Sequence, residues 1–262
     1  TMLSKLGARL VHLHDRPTGL FPHEPEPTAE NLTGLCDEVR KQKAAVGFAQ
    51  DPDADRLAIV DEHGHYIGEE YTLVLAAMHA FRKNPGITAV TNLSTSRMID
   101  DVAAMHGGKV LRTPVGEANV IDAMLKHDAI IGGEGNGGVI DPRIVPGRDS
   151  LVGMSFVLQL MADTGKTISD LVAEIPRYTI VKDKFDCSRE DAGRAVDAIA
   201  EHFGETENID TQDGVRVDWP DGWVSARPSN TEPIMRVIAE APTEAAATAR
   251  IAECRKVIDA VL

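Results

Sequence analysis

Cysteine is scarce and scattered. Cys36, Cys187 and Cys254 are odd in number and nowhere spaced as CxxC, which argues against a disulfide framework and a cysteine zinc site and fits a reducing cytoplasm. Long apolar runs are missing too: no stretch approaches the roughly 18 uncharged apolar residues of a membrane span. The opening Thr1-Met2-Leu3-Ser4-Lys5-Leu6 has no cationic segment ahead of an apolar one, so no signal peptide is read there. Basic charge is in deficit. With 27 Lys and Arg against 41 Asp and Glu, the formal net charge is −14, a field that repels a nucleic-acid backbone. What is present is ordinary for a folded protein: 262 residues, 43% hydrophobic and 26% charged, enough for two compact domains or for one and a half plus a small one. An anionic substrate would require arginines clustered locally with loop residues, against the global field.

The opening reads as a helix tail (Met2 to Leu6), a turn at Gly7 and a strand, Arg9-Leu-Val-His-Leu-His14. A helix from about Ala29 to Lys43 and a strand, Ala45 to Ala49, follow. This alternation predicts a mixed or parallel α/β sheet that the chain enters midway, hence a truncated first domain. Leu57-Ala-Ile-Val60 is another strand, turning at His63-Gly64. A second α/β unit begins with a helix from Glu69 to about Arg82. It continues through strand Ala89–Thr91, helix Ser96 to His106, strand Lys109–Arg112, helix Glu117 to Lys126 and strand Ala129–Ile131. Helices Ser150 to Thr164 and Ile168 to Glu174 close it before Pro176. The remainder changes character. A strand (Thr179 to Phe185), a helix opened by Ser188 with Asp191 three residues on, two or three strands from Gly214 to Ala239, and a helix from Thr243 to Val261 predict a small α+β domain. In the last helix Ile251, Cys254, Ile258 and Val261 recur at helical spacing and face the sheet. The expected domains are 1–68, 69–177 and 178–262.

Three loops carry chemistry. Asp51-Pro-Asp-Ala-Asp-Arg56 follows a strand and puts carboxylates at alternate positions. In an extended loop such side chains point one way, so Asp51, Asp53 and Asp55 can converge on a hard cation such as Mg²⁺ and leave positions for water or a phosphate oxygen. Arg56 suits a neighbouring phosphoryl group. Rival readings are a solvated acidic turn, an EF-hand calcium loop, and an aspartyl nucleophile of the haloacid-dehalogenase kind. Glu62 stands at the twelfth position that an EF-hand needs, but Pro52, and Arg56 where glycine is required, oppose it. Asp55 opposes the dehalogenase reading. Gly132 to Gly138 sets Glu134 and Asn136 among five glycines. These groups accept and donate hydrogen bonds to sugar hydroxyls, although a flexible turn has the same composition. Arg227-Pro-Ser-Asn-Thr-Glu-Pro-Ile-Met-Arg236 offers the hydroxyls of Ser229 and Thr231 and the fork of Arg227, the parts of a phosphate cradle. Arg236 is either a second cation there or a strand residue facing solvent, and an ordinary Pro/Ser/Asn turn is the bland alternative.

The order DPDADR, TPVGEANV, GGEGNGG, RPSNTEP resembles the α-D-phosphohexomutase superfamily, which includes phosphoglucomutase/phosphomannomutase and phosphoglucosamine mutase. The resemblance covers essentially the whole chain and implies the end of domain 2, all of domain 3 and all of domain 4 of a four-domain protein built around a cleft. By resemblance, Asp51, Asp53 and Asp55 ligate Mg²⁺, Arg56 stands beside them, and Glu134 and Asn136 read sugar hydroxyls. Arg227, Ser229, Asn230 and Thr231 bind phosphate, joined by Arg236. Asn136 replaces a common Ser, and Asn230 a usual Gly whose positive φ Asn tolerates next best. Where relatives carry Lys and His in the Thr113 to Asn119 segment, this chain has Glu117 and Ala118. The family's phosphoserine, in a TASHNP-like loop of domain 1, is not in this chain, and Ser94-Thr95-Ser96 lacks its context.

The resemblance implies an isomerase that interconverts hexose or hexosamine 1- and 6-phosphates through a phosphoserine and a 1,6-bisphosphate, which also serves as activator. It further implies a phosphosugar partner, no nucleic-acid or membrane partner, a cytoplasmic setting, and absent N-terminal domains. Without these the chain is expected to be inactive alone and to associate through exposed sheet surface. A sugar-phosphate-binding module without chemistry and, more distantly, a Mg²⁺-dependent phosphatase are the alternatives.

Overall fold

The computed structural model describes residues 2–16, 18–204, 208–229 and 232–261. Its first part holds α1 (Met2–Lys5), α2 (Thr33–Gln42), β1 (Gly47–Gln50) and β2 (Leu57–Val60). β1 and β2 pair antiparallel, from Gly47 opposite Val60 to Gln50 opposite Leu57. The few residues between them, 51–56, allow no other direction, because parallel strands need a crossover of a dozen residues or more. The strand expected at Arg9 to His14 forms no ladder. It is largely exposed, and among the described residues no strand pairs with it, so its β-rich composition has nothing to hydrogen-bond.

The second part contains α3 (Glu70–Lys83), β3 (Thr88–Asn92), α4 (Met98–Met105), β4 (Lys109–Thr113), α5 (Glu117–Lys126), β5 (Ile131–Glu134), β6 (Gly138–Ile140), α6 (Ser150–Thr164) and α7 (Ile168–Ala173). The strand order is β4-β3-β5-β6, with β3 parallel to β4 and β5 and β6 antiparallel to β5. Helices cover both faces, as a parallel sheet requires. On one side α3, α4, α6 and α7 pack around Ala89, Ile131 and Val139; on the other, Val120 and Met124 of α5 pack on Val90 and Ile140. The α3 helix is apolar around most of its circumference, and Leu73 to Ala77 are fully buried. Each such leucine or valine withdrawn from water contributes about 1.5–3 kcal/mol. The run 132–138, expected to be a loop, is a tight hairpin, because Gly133 (φ 149°) and Gly137 (φ 94°) take backbone angles that side chains resist.

The β1–β2 hairpin is fused to this unit. Leu57 and Ile59 share its core, Leu57 N–H donates to Gly137 O at 3.0 Å, and Arg56 and Gly138 form a β-bridge. The acidic loop is thereby stitched to the glycine hairpin.

The third part comprises β7 (Thr179–Asp186), α8 (Arg189–Phe203), β8 (Asn208–Asp210), β9 (Val215–Trp219), β10 (Gly222–Pro228), β11 (Ile234–Ala241) and α9 (Glu244–Asp259). Its sheet, ordered β7-β11-β10-β9-β8, is antiparallel throughout. Strand β8 exceeds what the sequence pattern predicts, being only three residues long. Val224, Ala226, Val237 and Ala239 face α8 and α9. The alternate residues face the second part: Glu240 Oε1 accepts from Arg97 N–H at 2.9 Å and from Trp223 Nε1–H at 3.0 Å. Arg97 Nη1 in turn donates to Trp219 O at 3.1 Å.

Candidate functional site

The acidic loop is not extended. Ala54 takes φ 60° and donates its N–H to Asp51 O at 3.0 Å, which closes a turn that keeps Asp51 and Asp55 side by side and leaves Asp53 at its exposed tip. Asp51 is buried: its Oδ1 accepts the N–H groups of Asp55 and Arg56 at 3.2 Å each, and its Oδ2 accepts Arg56 Nε–H at 2.7 Å. Burial pulls its pKa upward, but the bonds from Arg56 and Asp55 outweigh it and hold the carboxyl below its ordinary value. Asp53 is exposed. Asp55 bonds Arg148, and its pKa is raised, first by burial and then by Asp51. Among the described residues no three His, Cys, Asp or Glu side chains gather into a cation site, because the turn at Ala54 replaces the two-residue period. Ser150, at the start of α6, fixes that turn: its Oγ–H donates to Ala54 O at 2.6 Å.

Arg56 forks onto Glu26, at 2.7 and 3.2 Å, while holding Asp51. Its pKa is raised, by Glu26 before Asp51. Glu26 belongs to the segment between α1 and α2, where no motif marks it.

Glu134 ends β5 and is buried. Its Oε1 accepts Asn92 Nδ2–H at 2.7 Å and its Oε2 accepts Arg148 Nη1–H at 2.7 Å. Each oxygen keeps a second lone pair for a hydroxyl. Asn136 caps its own turn, its Oδ1 accepting Gly138 N–H at 3.2 Å, and borders a cavity of about 290 Å³ lined also by Glu26, Thr28, Tyr66 and Glu69. The Ser94–Ser96 cluster is structural. Thr95 Oγ1 accepts Gly135 N–H at 3.0 Å, and Ser96 N–H donates to Glu70 Oε2 at 3.0 Å. Glu70 lies under the hairpin, and its pKa is pushed up to about 8, first by burial.

Arg148 is the residue that sequence reasoning missed. It touches all three loops on this side of the site. Besides Asp55 and Glu134, its Nε lies 3.5 Å from Glu117 Oε2, and its own N–H donates to Glu117 Oε1 at 2.7 Å.

At the far wall, Arg227 Nη1–H donates to Asp213 Oδ2 at 3.1 Å, and the same oxygen accepts Val115 N–H at 3.0 Å. The cradle is thus tied to the Thr113–Asn119 segment that also carries Glu117. Ser229 N–H donates to Ile234 O at 2.8 Å, and Ser229 Oγ accepts Glu232 N–H at 3.3 Å. Asn230 and Thr231 lie outside the described residues. Arg236 sits directly opposite both Arg227 and Lys184, so the three share one face of the sheet. Arg236 also pairs with Glu232 at 3.5 Å. Three cations in a row give this acidic chain a local patch suited to an anion.

Residues 1–64 match the phosphoglucomutase/phosphomannomutase alpha/beta/alpha domain II, residues 68–178 its alpha/beta/alpha domain III, and residues 181–256 its C-terminal domain. The chain belongs to the phosphoglucomutase/phosphomannomutase family. A phosphoglucomutase/phosphomannomutase of Thermococcus kodakarensis is 41% identical over 246 residues, 93% of this chain and 54% of that protein. A probable phosphoglucosamine mutase of Methanopyrus kandleri is 38% identical over 93% of this chain and 54% of its own length. The crystal structure of a phosphoglucomutase/phosphomannomutase family protein from Burkholderia thailandensis superposes with a TM-score of 0.86 at 28% identity, covering 99% of this chain and 57% of that one. The chain therefore spans about half the length of the curated relatives it matches. No helix among the described residues is long and apolar enough to cross a membrane.

Proposed function

We propose that this chain forms the metal, sugar and phosphate walls of a phosphohexomutase, an isomerase that interconverts hexose or hexosamine 1- and 6-phosphates. The observation that carries this reading is the meeting of separate loops. Asp55, Glu134 and Glu117 surround one guanidinium, and the segment bearing Glu117 reaches Arg227 through Asp213.

Each wall has a role in this reading. Glu134 and Asn136 orient sugar hydroxyls. Arg227, Arg236, Ser229, Asn230 and Thr231 take the phosphate remote from the reacting centre. Arg56 stabilises the phosphoryl group in transfer. Asp51, Asp53 and Asp55 hold Mg²⁺. They fit such an ion in kind, being hard oxygen donors, and two of them already neutralise a guanidinium each, Arg56 and Arg148. When bound, Mg²⁺ supplies positive charge against the phosphoryl group. In the whole protein a phosphoserine outside this chain donates its phosphoryl group to the sugar monophosphate, and the resulting 1,6-bisphosphate reorients and returns its other phosphate. Catalysis is then positioning and electrostatics. The domain limits 1–68, 69–177 and 178–262 follow the same reading.

The test is reconstitution. The 262-residue chain, given hexose 1-phosphate, Mg²⁺ and catalytic 1,6-bisphosphate, is expected to produce no 6-phosphate. The chain joined to a phosphoserine-bearing upstream segment is expected to produce it from glucose, mannose or glucosamine 1-phosphate. Turnover by the chain alone, or none by the completed protein with any of the three, overturns the reading.

A further inference from the structure

Arg148 occupies a place that no motif announces. It stands two residues ahead of α6, with its side chain mostly covered, and it lies across β6 where Gly138 leaves room. A Cβ on Gly138 would meet Arg148 Cδ at 2.2 Å. Its guanidinium faces carboxylates from three separate segments: Asp55 in the acidic loop, Glu134 at the end of β5, and Glu117 at the start of α5. Its Nε is buried and makes no hydrogen bond, because Glu117 at 3.5 Å is an ion-pair partner only. One cation thus shares itself among three anions and leaves donor capacity unused.

We propose that Arg148 is a positioning residue that couples cation binding at the Asp51–Asp55 loop to the sugar-facing hairpin, by competing with the cation for Asp55. This rests on the reading of the acidic loop as a metal site. A guanidinium and a divalent ion cannot both sit against one Asp55 oxygen without like-charge repulsion. Arg148 released from Asp55 keeps Glu134 and Glu117 as partners, so its full charge goes to the carboxylate that reads sugar hydroxyls. Occupancy at one loop then sets how firmly Glu134 is held, through side chains that act beside the backbone bonds already joining the two loops. Arg148 also substitutes for the ion when it is absent, keeping Asp55, Glu117 and Glu134 from repelling one another.

The test uses the 262-residue chain and Mn²⁺ as probe, with binding read by electron paramagnetic resonance and hairpin behaviour by hydrogen exchange at the Gly133–Gly138 amides. In the unaltered chain, Mn²⁺ is expected to change exchange across the hairpin. Arg148→Met, which removes the competing charge, is expected to bind Mn²⁺ roughly tenfold more tightly and to lose the hairpin response. Arg148→Lys keeps the charge without the fork. It is expected to hold Mn²⁺ within roughly threefold of the unaltered chain while also losing the response, and it keeps the test alive should the Met variant fold poorly. Unchanged affinity in Arg148→Met, or a hairpin response that survives in both variants, overturns the coupling and leaves the metal reading standing. No Mn²⁺ binding by any of the chains sinks the metal reading and the coupling with it.

Discussion

Glu240, on the C-terminal sheet, accepts the backbone N–H of Arg97, at the head of α4, across 2.9 Å. With Trp223 Nε1–H on the same oxygen at 3.0 Å, this fully buried carboxylate joins the last two domains of the chain. Its other oxygen is buried without a hydrogen bond, and its pKa is raised, first by burial. Glu240→Ala strands two buried donors, at roughly 1–3 kcal/mol each, partly offset by relief of the buried charge. The expected loss is about 2 kcal/mol in denaturant unfolding. Glu240→Gln keeps the acceptor and removes the charge, and is expected to stay within about 1 kcal/mol of the original. Equal losses in the two variants would mean that the bond to Arg97 is not what joins the domains.

Glu70 sets a pH dependence of known sign. Its folded pKa, about 8 against an ordinary 4.5, means that the folded state keeps a proton which the unfolded chain releases. That contribution is complete below pH 4.5 and is lost as pH rises toward 8. His79 and His106, held below their ordinary 6.5 by burial, act in the opposite sense but only below that value. Thermal unfolding between pH 7 and 8 should therefore show stability falling, by at most about 1.4 kcal/mol per unit, and Glu70→Gln should flatten the slope. A Glu70→Gln chain that tracks the original across this window would refute the assignment.

Asp51 and Asp53 separate fold from ligand. Asp51 is buried and accepts three hydrogen bonds, so Asp51→Ala is expected to cost roughly 1–3 kcal/mol of stability as well as weaken cation binding. Asp53 is exposed, with no side-chain bond among the described residues. Asp53→Ala should therefore change stability by no more than about 0.5 kcal/mol, yet weaken Mn²⁺ binding to a similar degree. Mn²⁺ affinity that is untouched by Asp53→Ala would remove Asp53 from the ligand set.

The sequence announced helices and motifs better than it announced partners. The α5 and α6 helices, Glu117–Lys126 and Ser150–Thr164, were legible because periodic apolar residues coincide with clear stops. Asp149 Oδ1 caps α6 by accepting Leu151 N–H at 2.7 Å. The β5–β6 hairpin was not legible, since a run of glycines shows no alternation of apolar and polar side chains. Arg148 stayed hidden for another reason. Its partners Asp55, Glu117 and Glu134 lie 93, 31 and 14 residues away, and a single Arg in Gly147-Arg148-Asp149 carries no pattern. Side-chain convergence across such distances is a product of the fold.

The glycine hairpin offers the sharpest local test, because two of its glycines are required for different reasons. A Cβ on Gly133 would lie 2.0 Å from Gly138 O, a backbone atom that cannot rotate away, and φ there is 149°. A Cβ on Gly135 would lie 2.1 Å from Glu70 Oε2, a side-chain atom, at an unstrained φ. Gly133→Ala is expected to lose about 3 kcal/mol or more, combining strain with overpacking. Gly135→Ala should lose roughly 1–3 kcal/mol, all of it through Glu70. A double-mutant cycle isolates that term: in a Glu70→Ala background the obstacle is gone, so Gly135→Ala should cost much less, whereas the cost of Gly133→Ala should not change. If Gly135→Ala is equally damaging with and without Glu70, the carboxylate does not support the hairpin from below, and the pH dependence assigned to Glu70 needs another structural basis.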